Sequence, residues 1–101
     1  MKVFFGEALD DMIQELRARG VDSVRVHALA ESDANSVRVT IHATTLCGGQ
    51  IYESVLTRRR NLQNIDPAEE EEFVRRAREE EREKVTQKFA GFDIRRGILQ
   101  E

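Results

Sequence analysis

SVRVTIHATTLCGGQIYESVLT, Ser36 to Thr57, decides the fold. Val37, Val39, Ile41 and Ala43 alternate with Arg38, Thr40, His42 and Thr44. A period of two rich in β-branched residues makes a strand with one buried face. Gly48-Gly49 then separates Leu46-Cys47 from a second β-rich run, Gln50 to Thr57. Glycine pairs supply the positive φ angles of a two-residue hairpin turn. With that turn Leu46 faces Ile51 and Thr45 faces Tyr52, so Tyr52, Ser54 and Leu56 join Ile41 and Ala43 on the core side. A three-residue turn would send Ile51, Glu53 and Val55 inward instead. The first register is preferred because it keeps the Glu53 charge out of the core.

Upstream, Val24, Val26 and Ala28 alternate with Arg25, His27 and Leu29, and the short polar loop Glu31 to Asn35 joins this run to the next as an antiparallel hairpin. Strands are expected near 23–30, 36–46 and 50–57. Earlier still, Leu9, Met12, Ile13 and Leu16 recur at helical spacing, with Phe5 and Ala8 extending the face and Gly20 as the stop. Val3, Phe4 and Phe5 read either as a short strand or as the first helical turn, and Gly6 favours a break there. Arg58-Arg59-Arg60-Asn61 is expected to leave the sheet, with Leu62 and Ile65 anchoring the connection.

Asp66 to Phe89 reads as one long helix. Asp66 is the N-cap, Pro67 occupies the first helical position, Glu69 stands where a capping-box acid belongs, and Gly91 suits the closing turn. Its centre is nearly all charge. Glu71–Arg75, Glu72–Arg76 and Glu80–Lys84 are i,i+4 pairs in the favourable order. Phe73, Ala77, Val85 and Phe89 form an apolar seam interrupted at Glu81. Phe92, Ile94, Ile98 and Leu99 follow in an apolar tail that is a candidate edge strand.

The chain is therefore expected to be a single α+β domain over residues 1–101: helix, three-stranded antiparallel meander, long charged helix, short apolar C-terminal tail. Many small α+β binding modules share this element order, double-stranded-RNA-binding domains among them. That family opens its last helix with phosphate-gripping lysines, where this chain has Glu69-Glu70-Glu71-Glu72, and no family is claimed.

Composition narrows the function classes. Among 101 residues, 35% are charged and the net charge is −3, which disfavours a dedicated nucleic-acid binder. Trp is absent and Tyr occurs once, leaving little for base stacking. The single Cys47 excludes an internal disulfide and fits a reducing compartment. No apolar run reaches membrane-spanning length, and Met1 to Gly6 is too short for a secretory signal. A cytoplasmic location with no membrane partner is expected.

Motifs for catalysis are equally sparse. There is no nucleotide-binding glycine loop and no CxxC or HxxH-type spacing, so no cofactor and no metal are expected. The outer sheet face collects Arg25, His27, Arg38 and His42, with Arg25 near His42 or His27 near Arg38 across the ladder. Arg58, Arg59 and Arg60 form the densest basic cluster, which either contacts a partner or pairs with Glu69 to Glu72. These are the candidate partner-binding residues. Phe73, Val85, Phe89, Phe92 and Ile94 are the candidates for self-association as a homodimer, since the charged helix leaves them little to pack on. The leading expectation is a small non-enzymatic interaction module (a regulator, adaptor or inhibitor, of the kind phages use against host defence) that binds a protein partner through charge. The alternatives are a nucleic-acid binder using the arginine-bearing sheet face and a small histidine-dependent enzyme.

Overall fold

The computed structural model describes residues 1–96. Strand β1 (Lys2–Phe5) passes through a 3-10 turn (Gly6–Ala8) into helix α1 (Leu9–Arg19). Strands β2 (Ser23–Ser32), β3 (Ser36–Cys47) and β4 (Gln50–Asn61) follow. A second 3-10 turn (Pro67–Glu69) then leads into helix α2 (Glu70–Lys88) and strand β5 (Asp93–Arg96). The fold is α+β as the pattern predicts, but the sheet has five strands rather than three, in the order β1-β4-β3-β2-β5. β3 is antiparallel to both neighbours, while β1 and β5 pair in parallel with β4 and β2 at the two edges. Both crossovers, β1-α1-β2 and β4-α2-β5, run in the same direction across one face. They therefore share one hand, as the preference for right-handed crossovers requires of two in one sheet.

The Gly48-Gly49 turn closes as a two-residue hairpin, with φ of 60° and 76°. It sets Cys47 opposite Gln50, Leu46 opposite Ile51 and Thr45 opposite Tyr52. Tyr52, Ser54 and Leu56 are buried accordingly. At the other end of β3 the loop is tighter than expected. Asp33 N–H donates to Ser36 O at 2.9 Å, and the Asp33 carboxylate accepts from Asn35 N (3.0 Å) and Ser36 N (2.8 Å). This Asx-type turn lengthens β2 to Ser32 and fixes its register.

One face of the sheet carries both helices. Leu9, Met12, Ile13 and Leu16 of α1 and Ala77, Val85 and Phe89 bury against Val24, Val26, Val37, Val39, Ile41 and Ala43. The α2 seam runs at four-residue steps and continues through Glu81, which is buried at 6% exposure. The middle of the helix thus buries more than its charge suggests, because Arg60 compensates the carboxylate. Arg60 donates to Glu81 Oε2 at 3.0 Å and to Glu80 Oε2 at 2.7 Å.

Three expectations need correction. Arg58-Arg59-Arg60-Asn61 does not leave the sheet: β4 continues to Asn61, opposite Ser36, Val37, Arg38 and Val39. The arginine cluster pairs with Glu7, Glu80 and Glu81 rather than with Glu69 to Glu72. Asp66 caps the 3-10 turn, accepting from Ala68 N at 2.9 Å, and α2 proper begins at Glu70. On α2, Glu72 holds both Arg75 and Arg76, and Lys84 pairs with Glu81. Of the three expected i,i+4 pairs, Glu72–Arg76 is formed.

Candidate functional site

Both helices lie on one side, and among the described residues no helix lies over the opposite face of the sheet. Directly opposed residues in a ladder share a face. The register therefore places Ser23, Arg25, His27, Leu29 and Glu31 of β2 on this open side, with Arg38, Thr40, His42, Thr44 and Leu46 of β3. Ile51, Glu53, Val55, Thr57 and Arg59 of β4 join them, as do Val3 and Phe5 of β1 and Arg95 of β5. Phe5 is 69% exposed, Leu46 58%, Leu29 53% and Val3 38%. For a chain with so few aromatics, a ring this bare at a sheet edge is a conspicuous apolar contact point.

The centre of the face is polar. His27 stands directly opposite His42, with ring centroids 6.4 Å apart. This corrects the expected His–Arg neighbours: Arg25 faces Thr44, and Arg38 faces Glu31 and pairs with its carboxylate. His42 Nδ1 lies 2.9 Å from Glu53 Oε1. An ionised carboxylate only accepts, so in this bond Nδ1 of His42 is the donor. Among the described residues, His27 Nε2 is buried with no hydrogen-bond partner. A depression of about 300 Å³ lies here, lined by His27, Leu29, His42, Thr44 and Glu53. Glu53 is the member sequence reasoning missed. It was placed on the outer face but not beside His42, because that contact joins neighbouring positions on two strands rather than a directly opposed pair.

Arginines surround this centre. Arg38 and Arg59 are opposed on β3 and β4, and Arg25 and Arg95 on β2 and β5. Arg25 donates to Arg96 O at 3.2 Å, tying the edge strand down. Arg58 and Arg60 point to the helix side, opposite Val39 and Val37. Of the seven residues expected to bind a partner, the fold thus gathers Arg25, His27, Arg38, His42 and Arg59 on one face. It sends Arg58 and Arg60 to the other.

The self-association candidates are taken up inside one chain. Val85 and Phe89 are buried, and Phe73, Phe92 and Ile94 pack partly against the core. Phe89 meets Phe92 edge-on at 5.5 Å, and the Arg17 guanidinium covers the Phe92 ring at 4.9 Å. β5 folds back along its own β2, so this apolar surface is spent where a homodimer contact was expected to need it. Ile98 and Leu99 lie outside the described residues.

Cys47 is a free, buried thiol beside the turn. Among the described residues, no group of three or more His, Cys, Asp and Glu side chains is placed to hold a metal ion. No described helix is long and apolar enough to cross a membrane. In comparisons with protein families, curated proteins and solved structures, the chain matches none.

Proposed function

We propose that this chain is a non-enzymatic interaction module that docks a partner protein on its open sheet face. One observation carries the reading: among the described residues nothing layers over one face of the five-stranded sheet, and that face mixes bare Phe5, Leu29, Leu46 and Val3 with arginines. Exposed aromatic and arginine side chains are what protein interfaces concentrate at their centres. Arg38 is paired with Glu31 and His42 with Glu53, so the polar groups are oriented before a partner arrives. The acidic residues concentrate on α2, on the opposite side, leaving the open face relatively cationic. The partner surface that fits is apolar and rimmed by carboxylates. Such charge complementarity chiefly sets specificity and association rate.

The test is affinity capture from cell extract with three baits. These are the parent chain, a Phe5→Ser/Leu29→Ser variant of the open face, and a Glu83→Ala/Gln87→Ala variant of the exposed side of α2. A partner held by the first and third and lost by the second supports the reading. Equal retention on all three overturns it.

A second reading is favoured by the His27–His42–Glu53 arrangement alone, since one carboxylate-oriented imidazole beside another is the equipment for acid–base hydrolysis. Turnover of an RNA oligonucleotide that is abolished by His27→Gln/His42→Gln, with binding retained, would replace the first reading with this one.

A further inference from the structure

The outer edge of β4 is only partly covered. β1 pairs with Tyr52 to Val55 and stops at Phe5, where the chain leaves the strand through the Gly6–Ala8 turn, which rests beside β4 with Glu7 near Arg58 and adds no further ladder pair. β4 continues from Leu56 to Asn61 with β3 on its inner side, and among the described residues no strand lies outside it. In an antiparallel ladder every second residue turns its N–H and C=O away from its partner. Along Leu56 to Asn61 those groups therefore face outward as a template for another strand.

We propose that this edge accepts an extended, acidic segment of a partner protein as an added strand. The residues choose the occupant. Arg58 and Arg59 are exposed and point to opposite faces, and Arg60 is already engaged by Glu80 and Glu81. A second copy of the same edge would bring arginine against arginine, so self-pairing is opposed by charge. A basic strand is opposed for the same reason, whereas carboxylates would meet Arg59, which has no ion pair among the described residues, and Arg58, held only at 3.5 Å by Glu7. On the open side, Arg59 sits next to Arg38, and among the described residues no helix lies above them. On the helix side, Arg58 already has Glu7 at 3.5 Å, and α2 carries Glu80 nearby. The incoming strand should therefore place its carboxylates toward the open face and smaller apolar residues toward the helix side, an alternation of acidic and apolar positions. The inference rests on the strand edge and stands independently of whether the open face has its own partner.

The probe is a capped octapeptide of alternating valine and glutamate, titrated at pH 7.5 into the isotope-labelled full chain. A valine–lysine peptide of the same length is the control. Expected are saturable amide shifts and slowed amide exchange from Leu56 to Asn61. Binding should be roughly tenfold weaker for Arg59→Glu, corresponding to the loss of one charge-assisted contact. Arg58→Glu provides a second variant, and each variant is first shown to be folded by circular dichroism. Equal binding of the lysine peptide would overturn the proposal. So would shifts confined to Leu29 and Leu46, or no change at the β4 amides with millimolar peptide.

Discussion

Arg60, near the end of β4, donates at 3.0 Å to Glu81 in the sheet-facing seam of α2, and so joins the strand to the middle of the helix. The Glu81 side chain is 8% exposed and that of Arg60 is 24%. Removing Arg60 leaves the buried Glu81 charge only the longer contact to the exposed Lys84 at 3.5 Å. Arg60→Ala is expected to cost about 3 kcal/mol, the low end for breaking a buried pair because Arg60 keeps some solvent. Replacing both, as Arg60→Met/Glu81→Leu, should recover most of that loss, since apolar packing substitutes well for a buried ion pair. Urea midpoints at constant slope measure both. A double variant as weak as the single one would show that the pair does more than satisfy itself.

Gly48 and Gly49 hold positive φ in the β3–β4 turn. An alanine in that region costs roughly 1–2 kcal/mol. At Gly48 the added carbon would also approach Arg19 Nη1 at 3.2 Å, while at Gly49 it meets nothing within 4 Å. Gly48→Ala is therefore expected to destabilise at least as much as Gly49→Ala, and Gly48→Asn to be tolerated, since asparagine adopts this conformation more easily. Thermal unfolding of the three variants orders them.

The central meander was legible because each of its signals is local. Alternation fixed the faces of β3, and a glycine pair fixed the β3–β4 register to the residue. The edge strands were legible only as candidates, at Val3–Phe5 and in the apolar tail, and their partners were not, because parallel pairing of Lys2–Phe5 with β4 and of Asp93–Arg96 with β2 has no connecting turn to announce it. Their partners lie far away in sequence. The His27–His42 opposition depended on the turn at Asp33. Asp33 followed by Asn35 and Ser36 carries that Asx signal, but a loop of Glu31 to Asn35 is longer than the turn that forms and shifts the pairing of β2 on β3. The arginine run looked like an exit from the sheet by composition. In the fold Arg58 and Arg60 sit over Val39 and Val37 with their charged ends reaching Glu7 and Glu80–Glu81, a use of long side chains that charge alone does not reveal.

The pH dependence of stability follows from carboxylates held in their charged form. Hydrogen bonds from Lys2 and Tyr52 lower Glu15 below its ordinary 4.5. Backbone N–H groups of Asn35 and Ser36 lower Asp33 below 3.8. Hydrogen bonds from Arg75 and from Arg60 lower Glu72 and Glu80. A group whose folded value lies below its unfolded one stabilises the fold above the unfolded value and loses that contribution as pH falls through the folded one. Tyr52 has the opposite sign. Its hydrogen bond to Glu15, reinforced by burial, raises it above 10.0, so its contribution is complete below that value and is lost as pH rises past it. The urea midpoint should hold steady near neutrality, fall as pH drops below about 4.5, and fall again above about 10. Tyr52→Phe should flatten the alkaline fall and lessen the acid one. An unchanged alkaline limb in that variant would remove Tyr52 as its cause.

Phe89 ends α2 fully buried, and its ring supports Phe92 just before β5. Phe89→Ala is expected to cost about 3–5 kcal/mol, the usual figure for emptying an aromatic site in a core. Because Phe92 loses its edge-on partner, amide exchange should accelerate most in Asp93–Arg96 and in the β2 positions that pair with it, Ser23 to Val26. The concentration dependence of unfolding separates an internal role from a contact between copies. A seam that faces the chain's own sheet gives a midpoint independent of protein concentration, in the parent and in the variant alike. A subunit contact would make the parent's midpoint rise with concentration, and Phe89→Ala would abolish that rise. The burial of Val85 and Phe89 within one chain leads to the first outcome. Unfolding curves across a hundredfold range of concentration decide it, and a rising parental midpoint would return the α2 seam to the role of a dimer interface.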